Sequence, residues 1–255
     1  MVLVVVRGRD TLFQGYGETS KGNSEEPDGR SLLRIGSISK VFTTELLAAM
    51  ATLGALRLTD PLQQYAAAAV TVPRFGDRAI SLLDLATHSA GLPREIGEVP
   101  ANTIPFTWPT EQQRWSFLAG YKLPWAPGTV AAYSNVGFDL LADTLAEVGG
   151  KDYPELLRER ITGPLGMTDT GVRPTKEQSD RLMTGSGIGG PGPCADTDAT
   201  AGSGGLYSTG NDMARWLRHN LANGDPAVWP NLALAHAVYR QRQAMATAIG
   251  FDEGA

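Results

Sequence analysis

The chain opens on two short apolar runs, V-L-V-V-V-R at 2–7 and T-L-F-Q-G-Y at 11–16, joined by a G-R-D turn. Together they read as a β-hairpin. A polar loop, S-K-G-N-S-E-E-P-D-G-R, fills 20–30. The period then changes. Ile38, Val41, Phe42, Leu46, Leu47, Met50 and Leu53 recur every three or four residues, which predicts a helix with one buried face. Gly36 and Ser37 stand where its N-cap belongs, and Gly54 where it ends. In L-T-D-P-L-Q-Q-Y, Asp60 reads as the N-cap of another helix with Pro61 at its first position. A third helix starts at Ser81. Thr110 with Gln113 forms the capping box of a fourth, and two more occupy 135–148 and 153–161. Beyond the glycine-rich T-G-S-G-I-G-G-P-G-P-C, the stretch G-S-G-G-L-Y-S-T reads as a turn into a short strand. A helix from Asn211 to about Leu221 and a last helix over 230–248 follow.

This order of elements predicts an α+β fold with an inserted, mostly helical block. Residues 1–55 and 181–255 would make the α/β part and 56–180 the helical part of one domain. The hairpin needs further strands to bury its face, and few strand candidates remain after residue 180, so the sheet reads as incomplete within this sequence. The 255 residues, 42% hydrophobic and 19% charged, suffice for a real core. A net charge of −5 with both signs interspersed argues against a nucleic-acid partner. No apolar run approaches the roughly 18 residues of a membrane span. The opening M-V-L-V-V-V-R-G is too short an apolar run for a signal peptide. Cys194 is alone, so no intrachain disulfide is expected.

Several motifs reduce to ordinary readings. G-S-G-I-G-G at 185–190 matches G-x-G-x-x-G, but Pro191 and Pro193 forbid the helix that a dinucleotide site requires, leaving a surface loop. His88, His219 and His236 share no ligand spacing, and Asp196 with Asp198 lack the rest of a calcium loop. No metal and no cofactor are expected. The G-x-S-x-G elbow of an α/β-hydrolase is absent. His88 reads as a buried, hydrogen-bonding imidazole.

Ser37 and Lys40 are different. Three apart on a helix, they share a face one turn apart. A serine hydroxyl needs a neighbouring base to become nucleophilic, and a desolvated amine can serve. The ordinary reading is a serine cap and a solvated lysine. W-A-P-G-T-V-A-A-Y-S-N-V-G-F at 125–138 adds Tyr133 as a candidate proton relay and Asn135 as an amide for a substrate amide; the ordinary alternative has Asn135 capping a helix over Tyr133.

Taken together, S-x-x-K at 37–40 and Y-x-N at 133–135 resemble the serine β-lactamase and penicillin-binding protein superfamily, in its class C β-lactamase-like branch. L-L-D-L-A-T-H-S-A-G-L-P, I-T-G-P-L-G-M-T-D-T and G-G-L-Y-S-T-G-N-D-M-A-R-W are similar to further stretches of that branch. T-H-S-A-G-L-P-R-E, F-T-W-P-T-E-Q-Q-R-W and A-A-Y-S-N-V-G-F-D-L-L-A-D resemble its AmpH-type DD-carboxypeptidases/endopeptidases. The resemblance implies the β-lactamase/transpeptidase-like fold, an antiparallel sheet flanked by helices with an inserted helical subdomain. It also implies a serine hydrolase acting through an acyl-enzyme on D-alanyl peptides of peptidoglycan, with weak β-lactamase activity. Ser37, Lys40 and Tyr133 would be catalytic and Asn135 substrate-binding; peptidoglycan peptides or β-lactams would be the partners, and the periplasm the location. The alternatives are a class C-like β-lactamase or esterase, and a non-catalytic binding protein.

One family element is not found. M-T-G at 183–185 and S-T-G at 208–210 lack the cation of the family's Lys/His-Thr-Gly strand, and the second leads into a helix. The expectation is a C-terminally truncated member whose uncovered sheet edge favours self-association.

Overall fold

A computed structural model describes residues 1–184, 194–221, 230–242 and 245–248. The G-S-G-I-G-G stretch lies outside the described residues, as does the Gly185 of M-T-G. Strands β1 (Val2–Arg7) and β2 (Asp10–Gly15) form the expected antiparallel hairpin, Val2 opposite Gly15 and Arg7 opposite Asp10. Strand β3 (Leu32–Arg34) precedes a 3₁₀ turn, Gly36–Ile38, which runs into helix α1 (Ser39–Thr52). A small ribbon, β4 (Arg74–Phe75) and β5 (Arg78–Ala79), leads to α2 (Leu82–Ala86). Then come α3 (Glu111–Gly120), α4 (Asn135–Gly149), α5 (Tyr153–Leu157), which continues as one wide turn to Thr162, and α6 (Lys176–Ser179). Strand β6 (Tyr207–Thr209) runs into α7 (Gly210–Leu221); α8 (Pro230–Ala235), β7 (Val238–Arg242) and β8 (Met245–Ala248) follow.

The fold is α+β, with short antiparallel pairs that do not close into one sheet. Among the described residues the strands pair as β1–β2, β3–β6, β4–β5 and β7–β8. The β3–β6 pair sets Leu32 opposite Thr209 and Arg34 opposite Tyr207. One apolar cluster joins Val41, Phe42, Leu46, Leu47 and Met50 of α1 to Leu85 of α2, Leu140, Leu141 and Leu145 of α4, and Trp216 of α7.

The capping box at Thr110 and the helix start at Ser81 form as the sequence predicts, Ser81 adding a capping box of its own with Asp84. Gly54, at φ +73, ends α1 in the left-handed conformation that glycine adopts without strain. Other expectations fail. Asp60 does not cap a helix: its carboxylate accepts from the Arg57 N–H and the Tyr65 hydroxyl, both at 2.7 Å. Pro61 is extended and bridged to Ser81, and Leu62 donates to the Ile80 carbonyl. That pairing takes the backbone groups a helix would need, so only one 3₁₀ turn, Leu62–Tyr65, forms. The predicted 230–248 helix stops at Ala235, and the strand formers Val238, Tyr239 and Thr247 go into the β7–β8 hairpin. Neither Gly36 nor Ser37 caps α1 with a side chain.

The apolar stripe of α1 also understates its burial. Ile38 and Leu53, at the two ends of the stripe, are exposed, while every residue from Ser39 to Ala48 is buried, polar ones included. Each buried polar side chain has a partner. Thr43 donates to the Gly202 carbonyl at 2.8 Å and pairs with the Tyr153 hydroxyl. Glu45 accepts from Trp216 Nε1 at 3.0 Å and pairs with His219 Nε2 at 2.5 Å, pinning α7 to α1.

Candidate active site

The β3–β6 pair delivers the chain to Gly36, whose φ of +53 turns it into the 3₁₀ turn that carries Ser37. Ser39, two residues on, accepts from the Leu206 N–H at 3.1 Å and fixes this corner to the start of β6. Ser37 is left exposed. Its Oγ lies 2.6 Å from the Tyr133 hydroxyl and 3.3 Å from Lys40 Nζ.

Lys40 is only 2% exposed. A buried ammonium is costly unless every proton finds an acceptor. Here Nζ donates to Ser37 Oγ, to Asn135 Oδ1 at 2.7 Å and to the Ser203 carbonyl at 2.6 Å. Burial pulls the pKa of Lys40 below the usual lysine value; the Tyr133 hydroxyl and the carboxylates of Asp139 and Glu95 oppose that pull. With Lys40 donating to Oγ, the serine hydrogen is free to point at the Tyr133 oxygen.

Tyr133 and Asn135 flank Ser134, which is the true N-cap of α4: its Oγ accepts from the Gly137 N–H at 2.9 Å and donates to the Pro93 carbonyl. Asn135, relieved of capping, spans two partners. Its carbonyl oxygen faces Lys40 and its amide nitrogen donates to Glu95 Oε1 at 2.5 Å. The Tyr133 ring stacks on His88, centroids 4.4 Å apart, with the Arg94 guanidinium 5.1 Å from the ring centre. His88 is buried, and its Nδ1 accepts from the Ser134 N–H at 3.1 Å. Burial, with the nearby Lys40 charge, pushes its pKa down to about 3, so the imidazole is neutral and acts as a wall for Tyr133.

All four residues predicted for the site therefore meet at one place. Sequence reasoning missed three further groups. The Ser203 carbonyl anchors Lys40, and Ser203 in turn donates its N–H and hydroxyl to the two Asp139 oxygens, at 2.9 and 3.0 Å. Burial raises Asp139 to about 7 against the pull of Arg114, Ser203 and Lys40. Asn135 and Asp139 stand four apart on one face of α4, a polar pair inside an apolar helix, which was a readable signal. Glu95 had none, being an exposed acid in a loop. Gly202 answers to packing: a Cβ there would lie 2.5 Å from the Phe138 carbonyl oxygen. A cavity of about 210 Å³ is lined by Ser37 and Asn135. A larger one of about 1380 Å³ touches none of Ser37, Lys40, Tyr133 or Asn135. Among the described residues no cluster of His, Cys, Asp and Glu is placed to hold a metal.

Comparison with known proteins supplies the context for this geometry. The family model described as Beta-lactamase matches residues 1–253. The chain is 46% identical over 223 residues to the D-alanyl-D-alanine-carboxypeptidase/endopeptidase AmpH of Escherichia coli, covering 88% of this chain and 57% of that protein. It thus spans little more than half the length of that relative. A crystal structure of a beta-lactamase/D-alanine carboxypeptidase from Yersinia pestis complexed with citrate superimposes with a TM-score of 0.90 at 41% identity, over 98% of this chain and 75% of that one. A D-alanine carboxypeptidase AmpC structure from Burkholderia cenocepacia, at 22% identity, shares the fold with a TM-score of 0.81, over 98% of this chain and 68% of that one.

Proposed function

This chain belongs to the beta-lactamase family, and from that membership we propose that it is a serine hydrolase of D-alanyl peptides, a DD-carboxypeptidase/endopeptidase working through an acyl-enzyme. The observation that carries the reading is the position of Ser37 Oγ, 2.6 Å from a phenol oxygen and 3.3 Å from a buried amine. Ser37 Oγ attacks the carbonyl carbon of the D-alanyl peptide bond. As that bond forms, the serine proton passes to the base shared by Tyr133 and Lys40 and on to the leaving nitrogen as the C–N bond breaks. Asn135, with Lys40, orients the site and the substrate amide. Water then attacks the ester, the same base takes its proton, and Ser37 is restored. A β-lactam acylates the same oxygen, with its ring nitrogen as the leaving group.

We further propose that the protein works in the periplasm, where cell-wall D-alanyl peptides lie. Among the described residues no helix is long and apolar enough to cross a membrane. The division into an α/β part, 1–55 with 181–255, and a helical part, 56–180, remains part of this proposal. So does self-association through the open edge of the hairpin.

Intact-mass measurement after incubation with benzylpenicillin tests the reading. The expected result is a covalent adduct on Ser37 that releases slowly, and no adduct in Ser37→Ala. Ser37 caps nothing, but its Oγ accepts one Lys40 proton, so that variant should lose about 1 kcal/mol of stability. Rapid turnover would make the protein a β-lactamase. Labelling that survives the substitution would place the nucleophile elsewhere.

A further inference from the structure

The cavity of about 210 Å³ beside Ser37 has one sign of charge. Glu95 and Asp139 are the charged side chains that line it, and neither lysine nor arginine does. Lys40 lies outside that lining, with its protons on Ser37, Asn135 and Ser203, and its charge is felt by both acids. The two acids are not equivalent. Asp139 is buried, with both oxygens taken by Ser203. Glu95 is exposed: Oε1 accepts from the Asn135 amide, and Oε2 takes no hydrogen bond from the described residues. Phe106 and Trp108, both half-buried, also line the cavity, and the Arg34 guanidinium lies 5.9 Å from the centre of the Phe106 ring. Phe106 is held at φ +68, its carbonyl accepting from Thr200 Oγ1 at 2.7 Å and its ring packed against Gly204, where a Cβ would come within 2.8 Å. A carboxylate with a spare oxygen in a cavity that aromatic rings also line is a receptor for a cation, because ring faces carry negative electrostatic potential.

The exposed acid also orients the substrate. A D-alanyl leaving group ends in a carboxylate, which Glu95 repels, so the leaving end points away from this cavity. The acyl side enters it, alongside Asn135 on the wall. Resting on Ser37 as the nucleophile, we propose that this cavity is the acyl-side subsite and that Glu95 selects acyl donors bearing an ammonium group. An incoming ammonium donates to Glu95 Oε2 while Oε1 keeps the Asn135 amide turned with its oxygen toward Lys40. Recognition of the acyl group is thereby tied to the orientation of the residue that holds the base.

Benzylpenicillin and ampicillin differ by a single amino group on the acyl side chain, which makes them a matched pair of probes. At about pH 6 an α-amino group is charged. The readout is the ratio of their Ser37 acylation rates, followed by intact mass, so that general damage to the site cancels. Ampicillin should acylate the unmodified chain about five- to tenfold faster, the range of one partly exposed charge-assisted hydrogen bond. Glu95→Gln should bring the ratio to about one, and Glu95→Lys below one. A ratio of one in the unmodified chain, or a ratio that Glu95→Gln leaves unchanged, overturns the proposal while leaving Ser37 as the nucleophile. The unmodified ratio needs no variant to fold. Absence of an adduct with either penicillin overturns the nucleophile itself, and this proposal with it.

Discussion

Every residue of α1 from Ser39 to Ala48 is buried, polar ones included, whereas the β1–β2 hairpin turns only one face inward. Val2 and Val4 of the hairpin pack on Gly210 at the start of α7, while Leu3, Val5 and Leu12 on the outer face are 45%, 46% and 60% exposed. The two regions differ in what a side chain is asked to do. In α1 each polar group is held by named partners up to 174 residues away, so its identity is dictated by geometry. On the outer hairpin face a residue has to suit a strand and little else. Catalytic geometry is thus built where the chain has least freedom to vary.

Substitutions can break this contrast or sharpen it. The largest effect belongs to Tyr133→Phe, which keeps the ring stacked on His88 but removes the oxygen beside Ser37. Stopped-flow acylation should slow by about 10²–10⁴, and an unchanged rate would give the base role to Lys40 alone. Next is Glu45→Ala, which leaves the Trp216 and His219 ring nitrogens without their shared acceptor in the core. Urea unfolding should show a loss of about 3–5 kcal/mol. A loss under about 1 kcal/mol would mean that α1 tolerates change as the hairpin does, and the contrast would fail.

Asp139→Asn tests the floor of the site in the opposite direction. Burial raises the Asp139 pKa to about 7, above its unfolded value of 3.8. The stability it contributes is therefore fully present below about pH 4 and is lost as pH rises through about 7. An asparagine can still accept from the Ser203 N–H without that charge. At pH 8 the variant should be about 1–3 kcal/mol more stable than the parent, and near pH 4 about equal. Equal stability at both pH values would show that Asp139 is charged without penalty. The smallest effect is expected from Leu12→Lys, on the outer face opposite Val5. Unfolding free energy should move by no more than about 0.5 kcal/mol, while light scattering should report less self-association. A large stability loss would show that something covers this face.

What could be read in advance followed local rules. The hairpin, the helix start at Ser81, the capping box at Thr110, and the close of α1 at Gly54 depend on residues a few positions apart, and they form as expected. The site residues were legible because Ser37 with Lys40, and Tyr133 with Asn135, each sit within one turn. What failed was settled at long range. Asp60 and Pro61 look like a helix start, but pairing with residues 80–81 takes their backbone. The three-residue strand β3 carries no pattern of its own and exists because β6 lies beside it. Glu95 and the Ser203 carbonyl join the site through contacts that no periodicity announces.

The bond from Lys40 to the Ser203 carbonyl joins residues 163 positions apart. Chains are synthesised at about 5–20 residues per second, so roughly 10–30 s separate the appearance of these two ends. Throughout that interval Lys40 lacks one of its anchors, and Ser37 lacks the β3–β6 corner that aims it. The growing chain therefore carries its serine in an unarmed state, and chemical competence requires residues 203–209 to close onto the corner.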